Sequence, residues 1–176
     1  MAETEVKKIK RSAFATFINT TPGAGEPTWA RMGKGITEQT VAYNPSVTSE
    51  TYIDEDAATS NVDSYSVNIP TPQTCYSGEP VFEYVDGLRR KRAIGSDCET
   101  DVLMVYMYKP GTGANSYAAE KSKAVIQVDD FGGAAGGGTT INYTVNLNGD
   151  PEIGSVTVAN GNVTFAAEAA AASAES

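Results

Sequence analysis

The stretch Gly154-Ser155-Val156-Thr157-Val158-Ala159-Asn160-Gly161-Asn162-Val163-Thr164-Phe165 decides the class of the fold. Val156 and Val158 alternate with other residues before Asn160-Gly161, and Val163 and Phe165 alternate after it. A period of two is the pattern of a strand with one face buried. Asn-Gly supplies the two positive-φ residues that a two-residue hairpin turn requires. The stretch therefore predicts an antiparallel hairpin turning at Asn160-Gly161.

Strand signals continue toward the N-terminus. Ile141-Asn142-Tyr143-Thr144-Val145-Asn146-Leu147 alternates strictly, and the turn residues Asn148-Gly149-Asp150-Pro151 are expected to end it. Lys123-Ala124-Val125-Ile126-Gln127-Val128 reads as a further strand. Val102-Leu103-Met104-Val105-Tyr106-Met107-Tyr108 is the most apolar run, and its two apolar faces point to a central strand closed by Pro110-Gly111. Residues 64–69 alternate through Tyr65, Val67 and Ile69, residues 36–43 carry Ile36, Val41 and Tyr43, and residues 28–32 and 12–19 are also strand-like. Residues 20–27, with Pro22, Gly23, Gly25 and Pro27, read as a turn-rich connection.

One helix is expected over residues 79–93. Pro80 has the fixed φ of a first turn. Val81, Phe82, Val85 and Leu88 form an apolar stripe at helical spacing, read as core packing. Glu79, Glu83 and Asp86 lie toward its start and Arg89, Arg90, Lys91 and Arg92 at its end, which complements the helix dipole. Gly95 is the expected stop. The sum is a mainly β fold: a β-sandwich or barrel of about eight or nine strands with one packed α-helix, a long acidic loop over 44–62 and extended terminal arms. Residues 1–11 read as an N-terminal arm, 12–165 as the β-domain, and 166–176 as an Ala-rich tail expected to be disordered.

Composition removes most chemistry. The chain has no histidine, which eliminates the commonest general base, Ser-His-Asp and Cys-His catalysis and every imidazole metal site. No phosphate-binding, dinucleotide or nucleophile-elbow motif occurs. The run Gly132-Gly133-Ala134-Ala135-Gly136-Gly137-Gly138 lacks the Lys-Ser/Thr ending of a phosphate cradle and reads as a connection between strands. A calcium loop starting at Asp54 would need Gly at its sixth position and Glu at its twelfth, where this chain has Thr59 and Tyr65. Cys75 and Cys98 follow no metal spacing and read as free thiols. No catalytic residue, cofactor or metal is expected, and the reading is not an enzyme. No apolar run approaches the roughly 20 residues of a membrane helix, so no membrane insertion is expected. Met1 to Arg11 lacks an apolar segment of the secretory type.

The formal net charge of −9 argues against a surface that grips nucleic acid. The charges are also segregated. Lys7, Lys8, Lys10 and Arg11 form one basic cluster and Arg89, Arg90, Lys91 and Arg92 another. Between Lys34 and Arg89 there is no Lys or Arg, while Glu38, Glu50, Asp54, Glu55, Asp56, Asp63, Glu79, Glu83 and Asp86 fall there. Such an arrangement offers complementary surfaces in an assembly, acidic loop against basic helix end. Asp54, Glu55, Asp56, Asp63, Arg89, Arg90, Lys91 and Arg92 are the candidate inter-subunit residues. Reversing charge at Arg89 and Arg92 together is expected to impair assembly and spare the fold.

Three stretches resemble a known family. Thr51-Tyr52-Ile53-Asp54-Glu55-Asp56-Ala57-Ala58-Thr59-Ser60-Asn61-Val62-Asp63-Ser64-Tyr65 resembles the acidic loop of tail tube proteins, the major tail proteins of long-tailed, non-contractile bacteriophages. The segment from Ser77-Gly78-Glu79-Pro80 through Arg89-Arg90-Lys91-Arg92-Ala93-Ile94-Gly95 looks like that family's helix, and Asn146-Leu147-Asn148-Gly149-Asp150-Pro151 like the turn before its last hairpin. The resemblance implies a subunit of hexameric rings stacked into a hollow tail tube, with strands of all subunits joined around a lumen and the long loop and arms bridging rings. It implies partners as well: tape measure protein in the lumen, tail terminator and baseplate or tip proteins at the ends, and transient, non-specific passage of double-stranded DNA during ejection. The location implied is the virion, after assembly in the bacterial host cytoplasm. Acidic walls suit such a conduit because they do not trap phosphates. A receptor-binding or adhesion β-sandwich is the alternative, and it predicts a stable monomer or a trimer.

Overall fold

The computed structural model describes residues 5–169. Nine strands and one α-helix follow in the order β1 (Phe14–Asn19), β2 (Trp29–Arg31), β3 (Pro45–Glu50), β4 (Thr59–Tyr65), β5 (Asn68–Thr74), α1 (Pro80–Lys91), β6 (Glu99–Pro110), β7 (Ser116–Gly132), β8 (Thr140–Ala159) and β9 (Asn162–Ala167). The mainly β class with one packed helix is as the sequence predicts. Seven strands form one sheet in the order β2-β1-β6-β7-β8-β5, with β9 also paired to β8, and β3 and β4 form a separate two-stranded sheet. The chain divides into two compact units, and β7 and β8 each contribute residues to both.

The first unit comprises the described residues up to 33, residues 100–123 and those from 149. Its core is laid down by register. Phe17 pairs with Leu103 and Ala15 with Val105, so these four share one sheet face. They are buried together with Ala119 and Val156, and Trp29, Val158, Val163 and Phe165 pack against them. The connection at 20–27 is held by the Asn19 carboxamide oxygen, which accepts from the backbone N–H of Thr21 at 3.0 Å and of Thr28 at 3.2 Å. The β8–β9 hairpin turns at Asn160 and Gly161, with φ of 50° and 79°, and Ala159 pairs with Asn162. This is the two-residue turn that the Asn-Gly signal predicts. β9 extends to Ala167, opposite Gly154, so Ala166 and Ala167 are ordered where the sequence reading expected a disordered tail. Residues 170–176 of that tail and residues 1–4 of the arm lie outside the described residues.

The Asn148-Gly149-Asp150-Pro151 segment does not end a strand. β8 runs through it. Its first part, Thr140 to Asn146, pairs with β5, and its last part, Gly154 to Ala159, pairs with β9. The turn residues occupy the interval between these two partners, where Pro151 forfeits no bond to either and Gly149 takes a φ of 69°.

The second unit comprises residues 34–99 and 124–148. Ile69, Thr71 and Gln73 of β5 are buried and Pro70 and Pro72 are exposed, as alternation along a half-buried strand dictates. The expected strand at 36–43 is reduced to an isolated bridge between Ala42 and Asn68. The segment does run beside β5: Ala42 and Asn68 exchange backbone bonds of 2.8 and 2.9 Å, and Thr74 donates to Gly35 O at 2.8 Å. Pro70 and Pro72 between them have no N–H to donate, so no continuous ladder forms. The predicted strand over 64–69 is likewise split, β4 ending at Tyr65 and β5 starting at Asn68.

The helix is fixed to the sheet by polar and apolar contacts. Val81 and Val85 are fully buried. Glu79 caps the helix, its carboxylate accepting from Phe82 N–H at 2.6 Å. The same carboxylate accepts at 2.9 Å from the side-chain amide of buried Gln73. That amide also donates to Lys34 O at 3.1 Å, and Tyr143 hydroxyl donates to the Gln73 oxygen at 3.2 Å. Burial first, and the nearby Glu79 second, push the Tyr143 hydroxyl pKa well above the usual tyrosine value. The helix stops before Gly95. Arg92 takes the left-handed capping position at φ 49°, Ala93 N–H bonds back to Leu88 O at 3.0 Å, and Gly95 opens a short 3-10 turn instead.

Candidate assembly interface

The acidic excursion is a hairpin. The sequence predicts a long acidic loop over 44–62. The structure pairs β3 with β4 from Pro45–Tyr65 to Glu50–Thr59, and Thr51-Tyr52-Ile53 falls in the connecting turn. At its base Tyr43 and Tyr65 meet edge-to-face at 6.4 Å, and the Asn44 amide donates to Ser66 O at 2.9 Å. Every residue of both strands is exposed. A lone two-stranded hairpin with no buried face is marginal in water. Its apolar side chains, Val47, Tyr52, Ile53, Val62 and Tyr65, are more than half exposed, and Ile53 is fully so.

Asp54, Glu55 and Asp56 lie in the hairpin turn. Asp63 is the extra residue where the β3–β4 register shifts, and its carboxylate accepts from the Thr48 hydroxyl. None of these four carboxylates forms an ion pair among the described residues. Structure and sequence agree on the basic helix end, with one division within it. Arg89 is held inside the subunit: its guanidinium bonds Asp86 at 2.8 and 2.7 Å and lies 3.9 Å from the centre of the Phe131 ring. Arg90, Lys91 and Arg92 are exposed, and their side chains have no partner among the described residues. The candidate residues thus form two exposed clusters of opposite charge that do not pair within the subunit, with Arg89 set apart from them.

Two features beyond the charges were not legible in the sequence. One is a cleft of about 570 Å³ beside the helix end, lined by Leu88, Ala93, Ile94, Ile126, Val128 and Phe131. Ile94 stands 80% exposed at its rim. Asp129 and Asp130 line the same cleft; Gln127 and Thr144 donate to the first and Asn142 to the second. The other feature is the unequal state of the sheet edges. On β5 the outward N–H groups of Asn68 and Thr74 are taken by Ala42 and Gly35, and Pro70 and Pro72 have none. That edge is closed to strand addition. On β9 the turn pairs Ala159 with Asn162, and Glu168 N–H reaches Ile153 O at 2.9 Å. The even positions therefore face β8, and the N–H groups of Val163, Phe165 and Ala167 face the open edge.

The thiols are quiet. Burial is the main cause raising the Cys75 pKa, with Asp86 adding to it and Arg89 opposing; burial and then Asp97 raise that of Cys98. A raised pKa keeps a thiol protonated and unreactive. Among the described residues no group of three or more acidic or cysteine side chains is placed to hold a metal ion.

No protein-family model matches the chain, and no curated protein matches it. Solved structures do. A chain from the tail of an empty GTA particle, computed with helical refinement in C6 symmetry, aligns over 83% of this chain and 98% of its own, with 9% identity and a TM-score of 0.59. A chain from the sixfold-symmetrised anti-feeding prophage baseplate aligns over 87% of this chain and 97% of its own, at 12% identity and a TM-score of 0.41. One from the PVC sheath–tube complex of an extracellular contractile injection system, in the extended state, aligns over 92% and 93%, at 11% identity and a TM-score of 0.43. The first likeness shows a shared fold with a tail component; scores as low as the other two remain likenesses only.

Proposed function

We propose that this chain is a structural, non-catalytic subunit that self-assembles into stacked rings, six subunits to a ring, forming the hollow tail tube of a phage-like particle. The observation that carries the reading is the fold likeness, over 83% of this chain, to a chain from a C6-symmetric GTA tail. The exposed hairpin and the unpaired clusters of opposite charge support it, because each is a surface that a monomer leaves unused. In the finer form of the proposal the tube is that of a long-tailed, non-contractile phage. It surrounds a tape measure protein, meets terminator and baseplate or tip proteins at its ends, and conducts DNA during ejection. Its place is the virion, after assembly in the host cytoplasm. The net charge of −9 fits a wall past which a polyanion must slide.

Negative-stain electron microscopy of the purified chain at high concentration tests the reading. Rings or tubes are expected for the intact chain, and folded subunits without tubes for a chain in which residues 46–62 are replaced by a short Gly-Ser link. A chain that remains monomeric under all conditions refutes self-assembly. Normal tubes from the shortened chain refute the bridging role of the hairpin.

A further inference from the structure

We propose that the cleft beside the C-terminal end of α1 receives the tip of the acidic hairpin from a second copy of this chain, with Ile53 and Tyr52 as the apolar anchor. The inference rests on the self-assembly reading above and names the two surfaces that meet.

The two surfaces match in their apolar parts and in the opposite charges of the helix end and the hairpin tip. The cleft offers an apolar floor of Leu88, Ala93, Ile126, Val128 and Phe131 with Ile94 exposed at the rim. The hairpin tip offers Tyr52 and Ile53, side chains that no fold would project into water at no cost. Next to the cleft stand the cations of Arg90, Lys91 and Arg92, without side-chain partners among the described residues. Next to the anchor stand Asp54, Glu55 and Asp56, without ion pairs. Asp129 and Asp130 also line the cleft, where their carboxylates accept from neutral amides and a hydroxyl. The lining thus carries Arg92 from the helix end and two carboxylates from β7. That polarity orients the entering tip with its carboxylates toward the helix end. Arg89, locked between Asp86 and Phe131, builds the floor rather than pairing with the tip. Apolar contact then supplies most of the affinity, and the exposed charges set approach and orientation.

The test uses full-length chains. Ile53→Ser changes only an exposed side chain, and Ile94→Ser only a rim residue, so both variants are expected to fold as the parent does. By light scattering and sedimentation, each raises the concentration needed for assembly by roughly ten- to a hundredfold, the factor for one lost buried Ile contact. The double variant is no worse than the poorer single one, since both remove the same contact. Separately tagged Ile53→Cys and Ile94→Cys chains, mixed and oxidised, form a disulfide between tags at assembling concentrations, and a denaturing gel reads it. If the parent chain assembles while Ile53→Ser assembles equally well and no cross-tag disulfide appears, the docking proposal falls and self-assembly stands. If the parent chain never assembles, both fall. In a chain that carries both Ile53→Cys and Ile94→Cys, a disulfide between them that forms within one chain, independent of concentration, overturns the second-copy occupant.

Discussion

Charge reversal at the helix end separates folding from assembly, because the structure assigns its cations to different tasks. Arg89 makes two bonds to Asp86, at 2.8 and 2.7 Å, and stacks on Phe131 at 3.9 Å, with its side chain 32% and that of Asp86 19% exposed. The ion pair is partly exposed and is worth about 1 kcal/mol at most, and the cation–π contact adds about 0.5–1 kcal/mol. Arg89→Glu loses both and sets a second carboxylate against Asp86, so it destabilises the fold by about 2 kcal/mol. That is roughly a thirtyfold rise in the unfolded fraction. Arg90→Glu with Arg92→Glu touches no side-chain partner and sets two carboxylates at the negative end of the helix dipole, a cost of about 1 kcal/mol, half that of Arg89→Glu. Urea unfolding followed by circular dichroism, at concentrations below assembly, measures the first effect; light scattering above them measures the second. The Arg90/Arg92 variant unfolds at a midpoint closer to the parent's than Arg89→Glu does and fails to assemble, with partial recovery as salt screens the repulsion. This revises the sequence-based expectation that Arg89 and Arg92 could be reversed together without harm to the fold. An unchanged midpoint for Arg89→Glu would refute the pinning of that side chain, and normal assembly of the Arg90/Arg92 variant would refute charge complementarity.

Two further outcomes follow from the buried network that joins sheet to helix. Gln73→Leu removes the partner of Tyr143 hydroxyl and one partner of the Glu79 carboxylate, at a cost of about 3 kcal/mol. Tyr143→Phe loses a single bond, at about 1 kcal/mol; equal effects of the two in urea unfolding would mean that the network contributes nothing as a unit. Because burial raises the Tyr143 pKa, the unfolded chain releases that proton first. Its contribution to stability is complete below the unfolded value of about 10 and is lost as pH rises above it, at up to about 1.4 kcal/mol per pH unit. A Tyr143→Phe chain lacks this alkaline loss, so the gap between the two midpoints narrows from pH 9 to 11, and a gap that stays constant over that range would contradict it.

Much of the fold is legible in the chain because its strongest signals are local. Asn160-Gly161 dictates its turn through backbone conformation alone, and Pro80 and the apolar stripe predict a helix over 79–93, where one forms over Pro80–Lys91. The misplaced elements are those whose outcome depends on a neighbour. Residues 36–43 have the side chains of a strand, yet they lie against Pro70 and Pro72, which offer no donors. Asn148-Gly149-Asp150-Pro151 reads as a stop, yet β8 continues because β5 and β9 take its two ends in turn.

The candidate interface divides in the same way. The opposite clusters at 54–56 and 89–92 are properties of composition and are visible in any listing of the residues. The pairing of Arg89 with Asp86 is one turn of helix and was available from spacing; its stacking on Phe131, 42 positions away, was not. The cleft exists only because the helix end packs beside β7, which joins Leu88 and Ala93 to Ile126, Val128 and Phe131. By itself the sequence determined the strand-rich class, the helix, the last hairpin and the charge segregation, since periodicity, turn chemistry and charge act within a few residues. Only the tertiary structure decided the ordered hairpin, the closed edge at β5, the open edge at β9 and the cleft, since each depends on which distant backbone or side chain becomes a neighbour.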